Sequence, residues 1–84
     1  MRESVVLLHG LGRTCASMAS LKRGLEGQGF DVQCWSYPSR RRRLAGHISD
    51  FRDWLGKQVF EGPVHFVGHS LGGIIIRGAL ATSP

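Results

Sequence analysis

The sequence predicts an α/β fold: a three-layer sandwich with a parallel sheet, in which strands and helices alternate along the chain as βαβαβα. Three observations predict it. Short apolar runs recur at Ser4 to His9, Phe30 to Tyr37 and Val64 to Gly68; each is followed by apolar residues at helical spacing; and Gly or Pro punctuates the joins. With 84 residues, 42% of them hydrophobic, the chain can build one core. A parallel α/β enzyme usually needs more strands than this, so residues 1–84 are read as a single partial domain.

Ser4 to His9 is β-branched and leucine-rich and stops at Gly10-Leu11-Gly12, the pattern of a strand buried on both faces. Thr14 is a possible N-cap for a first helix, with Cys15, Met18, Leu21 or Lys22, and Leu25 near helical spacing and Gly27 and Gly29 as stop signals. Phe30 to Tyr37 alternates as a second strand, and Pro38 closes it because proline has no ladder donor. After Arg40-Arg41-Arg42-Arg43, the stripe Leu44, Ile48, Phe51, Leu55 and Val59 predicts a second helix that Gly62-Pro63 ends. Val64 to Gly68 is a third strand, and Leu71 to Ala81 a largely apolar third helix.

Parallel strands joined by right-handed crossovers restrict the topology. If the second and third strands flank the first on opposite sides, their helices cover opposite faces and the first strand is central. The C-terminal ends of the first and third strands then meet at a switch point, bringing Gly10-Leu11 to Ser70. The third strand is left as an edge with apolar surface beside it.

The formal charge is +5, and four of the eleven basic residues lie in the arginine run. That run lacks interleaved aromatics to stack bases, so it reads as a solvated loop and no nucleic-acid partner is expected. Cys15 and Cys34 have neither C-x-x-C spacing nor the density of a disulfide scaffold, and are read as small buried or half-buried hydrophobes. Val5-Val6-Leu7-Leu8 is too short for a signal core or a membrane span, which gives the expectation of a cytoplasmic chain with no membrane anchor.

The chemistry concentrates in Gly68-His69-Ser70-Leu71-Gly72, a G-x-S-x-G turn between a strand and a helix. A serine hydroxyl is a poor nucleophile unless it is held exposed near a base, and this turn does the holding. Side chains two residues either side of the serine would collide, so Gly68 and Gly72 are needed. A bare motif of this kind also arises as a glycine-rich turn with a serine N-cap. The upstream His9-Gly10-Leu11-Gly12 favours the functional reading: acyl transfer needs donors aimed at a tetrahedral oxyanion, and Leu11 N–H and Leu71 N–H are candidates.

Val5-Val6-Leu7-Leu8-His9-Gly10 followed by Gly68-His69-Ser70-Leu71-Gly72-Gly73 resembles bacterial lipases and esterases of the α/β-hydrolase fold, small lipases above all. Tyr37-Pro38-Ser39 belongs to the same resemblance. It implies Ser70 as nucleophile, Leu11 and Leu71 as oxyanion-hole residues, and an ester or lipid as small-molecule substrate, with no cofactor and no metal. The family's acid and histidine follow the serine, and no residue after Ser70 is acidic or histidine. His9 and His69 belong to their motifs, His65 reads as a strand residue and His47 as a helix residue, so none takes the family's position.

A dinucleotide site is disfavoured, because Cys15 stands where the third small residue of G-x-G-x-x-G is needed and no acid ends the second strand. An acyltransferase or thioesterase would use the same serine. A non-catalytic truncated chain is the reading from a different class, motivated by the missing acid and histidine.

Overall fold

A computed structural model describes residues 2–81. Strands β1 (Ser4–Leu8), β2 (Asp31–Trp35) and β3 (Val64–Gly68) alternate with helices α1 (Ala19–Gly27), α2 (Leu44–Gly56) and α3 (Leu71–Ala81). A 3-10 turn, Cys15–Met18, leads into α1. All pairing is parallel in the order β2-β1-β3, with Leu8 opposite both Trp35 and Gly68. The α/β three-layer architecture expected from the sequence is therefore the observed one, with β1 in the centre.

The two faces of β1 explain its continuous apolar run. Val6 and Leu8 pack with Tyr37, Phe51, Ile75, Ile76 and Ala79 under α2 and α3, while Val5 and Leu7 pack with Met18 and Val32 on the α1 side. Every β1 residue is buried, as a central parallel strand requires. In β3 half-buried and exposed positions alternate, and Val67 is exposed on an edge that none of the described strands covers.

Several boundaries move. The first helix begins as the 3-10 turn, where the Thr14 hydroxyl accepts the Ala16 N–H at 3.3 Å. The apolar stripe of the second helix overruns its end: α2 stops at Gly56, a poor helix former, and Val59 is 93% exposed beyond it. Trp54 and Phe60 pack against the core instead.

Cys15 and Cys34 are half-buried, as expected, but they are not separate hydrophobes: a disulfide joins them, with Cα atoms 5.9 Å apart. Register brings this about. Cys34 sits opposite Leu7 and contacts the cluster on the α1 side, the face that the Cys15–Met18 turn covers.

Candidate active site at the end of the central strand

The turn between β3 and α3 holds Ser70 in the left-handed region, φ +57°, the one positive φ outside glycine among the described residues. Such a conformation costs a non-glycine residue about 1 kcal/mol or more and persists only where its surroundings enforce it. Here the enforcement is backbone against backbone. A Cβ on Gly68 would run into the Gly73 nitrogen, and a Cβ on Gly72 into the Leu8 carbonyl. The His69 N–H reaches the same Leu8 carbonyl at 3.0 Å, prolonging the β1–β3 ladder into the turn. Gly72 N–H and Gly73 N–H then bond back to His69 and Ser70 carbonyls, each at 3.0 Å.

The Gly10–Arg13 turn lies against this elbow. A Cβ built on Gly10 would stand 3.6 Å from Ser70 Cβ and 3.3 Å from the His69 carbonyl. Arg13 N–H closes the turn on Gly10 C=O at 3.1 Å, with Gly12 at φ +69°, as a type II turn requires of its third residue. Gly12 N–H is taken by Ser39 Oγ at 2.8 Å. Leu11 N–H and Leu71 N–H have no acceptor among the described residues, and Leu71 is the first residue of α3, where donors are left over and the helix dipole is positive. Beside the turn lies a cavity of about 400 Å³ lined by Gly10, Arg13, Met18, Leu21, Val67 and His69.

His9 anchors the region. Its ring is fully buried; Nε2 accepts the Tyr37 N–H at 3.1 Å, which leaves the proton on Nδ1, 3.0 Å from the Gly10 carbonyl. Tyr37 returns its hydroxyl to the His9 carbonyl at 2.6 Å, and the two rings stack with centroids 4.1 Å apart. Burial raises the Tyr37 hydroxyl above its ordinary pKa. His47 is also buried: Nε2–H donates to the Ser39 carbonyl at 3.2 Å, while Nδ1 has no partner among the described residues. His65 is exposed and pairs with Glu3 at 2.6 Å, at the opposite end of the sheet. His69 is exposed beside Ser70. Among the described residues no histidine and no carboxylate hydrogen-bonds the Ser70 hydroxyl.

The two motifs singled out in the sequence, His9 to Gly12 and Gly68 to Gly72, thus come together. Tyr37 and Ser39 hold the first of them, and no local spacing marks them for that role, since their partners are 28 and 27 residues away. Arg40 to Arg43 are exposed, as a solvated loop requires, and the Arg40 guanidinium lies across Gly12: a Cβ on Gly12 would lie 2.6 Å from its Nη2 and 2.9 Å from its Nε. No group of three His, Cys, Asp or Glu among the described residues could hold a metal ion. No helix among them is long and apolar enough to cross a membrane.

Compared with known families, residues 5–83 match the model described as "Alpha/beta hydrolase family". Neither curated proteins nor solved structures gave a match.

Proposed function

Because the chain belongs to the alpha/beta hydrolase family, whose membership supports a hydrolase-type function, we propose that it carries the nucleophile and oxyanion hole of a serine hydrolase acting on carboxylic esters or lipids. The observation that carries this reading is the positive φ of Ser70, a strained serine held at a strand-to-helix turn. In the proposed reaction Ser70 Oγ attacks the ester carbonyl and forms the Oγ–C bond. Leu11 N–H and Leu71 N–H stabilise the oxyanion, each by about 3 kcal/mol as for other such donors. Collapse of the intermediate breaks the bond to the alcohol, which leaves with the proton lost by Oγ, and water then releases the acid. His9 belongs to the scaffold rather than to proton transfer, because both its ring nitrogens are engaged and it is fully buried. A thioesterase or acyltransferase would share every step up to the acyl-enzyme.

A second reading is a non-catalytic α/β-hydrolase chain that binds its ligand without turnover: among the described residues no histidine and no carboxylate hydrogen-bonds the Ser70 hydroxyl. The first reading instead expects slow chemistry, because sites stripped of triad members still keep about 10³-fold over water when the oxyanion hole is formed. The chain and Ser70→Ala are each incubated with a fluorophosphonate and with a short p-nitrophenyl ester. Slow labelling confined to the parent chain supports the nucleophile; equal labelling of both proteins removes Ser70 from the chemistry.

A further inference from the structure

We propose that the mouth of the Ser70 site binds a substrate carrying an anionic group, held by Arg13 and Arg40; this rests on Ser70 marking the reacting centre. The carboxylates of the chain are unevenly distributed along the sheet, while basic residues, Arg2 and Lys57 among them, occur at both ends. At the C-terminal ends of the strands, where Ser70 lies, the loops contribute Arg13 and Arg40 through Arg43 and no carboxylate. The acidic residues lie elsewhere. Glu3 and Asp31 sit at the N-terminal ends of β1 and β2, Glu26 and Asp53 in the last turns of α1 and α2, and Glu61 before β3. Asp50, on α2, is paired with Arg42 at 3.4 Å.

Within that basic end, two arginines are set apart by position. Arg13 closes the Gly10 turn and lines the cavity of about 400 Å³ together with Gly10 and His69. The Arg40 guanidinium lies across Gly12, two residues from the glycine that abuts Ser70. Chain geometry therefore keeps it within about 15 Å of the serine. Both side chains are exposed and neither is paired with a carboxylate or with any other described group. Their donors are free, and a guanidinium fork matches a carboxylate or a phosphate with two parallel hydrogen bonds. The positive end of α3 points at the same region and adds to the attraction. An ester bearing a negative group within that reach of its carbonyl would meet the oxyanion donors and the guanidinium groups together, and a neutral ester would meet only the former.

The test is equilibrium binding by the whole chain, followed through the amide resonances of Leu11, Gly12 and Leu71. The probes are monobutyl succinate and monobutyl phosphate against the neutral butyl methyl succinate. At an ionic strength of about 20 mM, at least one anionic probe is expected to bind about fivefold or more tightly than the neutral one, and the advantage to shrink toward one at about 0.5 M. Arg13→Gln and Arg40→Gln should each remove most of that preference, and Arg40→Lys should restore part of it because charge without the fork survives. No preference for either anion at low salt, or a preference that persists in the double Gln variant, overturns the proposal. Fluorophosphonate labelling is read alongside: anion preference with labelling that does not depend on Ser70 would remove the nucleophile and leave the anion site standing, and the reverse result would remove only the anion site.

Discussion

The same substitution, glycine to alanine, should have opposite effects at Gly72 and Gly24. Both lie within helices, where alanine is favoured over glycine by about 1 kcal/mol. At Gly24 on α1 nothing lies within 4 Å of the added Cβ, so Gly24→Ala should stabilise by close to that amount. At Gly72 the Cβ would overlap the Leu8 carbonyl and come within 2.9 Å of the His9 carbonyl oxygen. No rotamer relieves the overlap, because these are backbone atoms of the central strand and its extension. Either β1 or α3 must move, which costs about 3 kcal/mol as overpacking. The Leu8 carbonyl also accepts the His69 N–H, so movement weakens a bond worth about 1 kcal/mol. A net loss near 3 kcal/mol lowers the melting temperature of a domain this size by about 12 to 24 °C, while Gly24→Ala raises it by about 4 to 8 °C. Thermal and urea melts followed by the fluorescence of Trp35 and Trp54 measure both. A Gly72→Ala chain that melts at or above the parent would refute the close approach on which the elbow depends.

Four further outcomes are expected. Ser39→Ala removes the acceptor of Gly12 N–H and should speed hydrogen exchange at that amide by about tenfold, whereas an unchanged rate would mean the turn does not rely on the bond. Burial holds the Tyr37 hydroxyl above its ordinary value, so the unfolded chain ionises first; the stability is full below about pH 10 and is lost as pH rises beyond it. Urea midpoints across that range should fall less steeply for Tyr37→Phe than for the parent. Reducing the Cys15–Cys34 bond, whose partners are 19 residues apart, should lower stability by about 3 kcal/mol by the loop-entropy model, and the double serine variant should melt like the reduced chain. Ser70→Gly relieves the positive φ and should stabilise by about 1 kcal/mol in the same urea titration while abolishing fluorophosphonate labelling.

What was legible in the sequence is what side-chain type and local spacing report. The continuous burial of β1 follows from Val5 to Leu8, and parallel pairing from the alternation of strands and helices, whereas the order β2-β1-β3 is one arrangement the alternation allows and the structure adopts. The tight turn requires Gly68 and Gly72 whatever their neighbours, and the structure adds which backbone atoms a Cβ would strike. Contacts set by register were not legible. The disulfide depends on Cys34 standing opposite Leu7 beneath a 3-10 turn, and no spacing rule encodes that. The Ser39 bond to Gly12 and the Arg40 guanidinium over the same glycine depend on how the loop after β2 folds back toward the loop after β1. Val59 misled because apolar spacing continues past the residue where Gly56 ends the helix.

Both halves of the candidate site hang from one residue. Leu8 pairs with Trp35 on one side and Gly68 on the other, its carbonyl receives the His69 N–H, and Gly72 can approach it only for want of a side chain. From the next residue, His9, the chain is tied to Tyr37 by two hydrogen bonds and a ring stack, and from Gly12 it is tied to Ser39. The Leu11 N–H and the strained serine therefore share a frame whose members are mostly backbone groups and buried rings, with little freedom to relax independently. Preorganised donors are worth most when they need not reorient as charge develops, and a frame fixed at the end of the central strand keeps them from doing so. On the proposed function, holding Ser70 and activating its hydroxyl are separate structural tasks: β1 performs the first, while among the described residues no histidine or carboxylate hydrogen-bonds that hydroxyl.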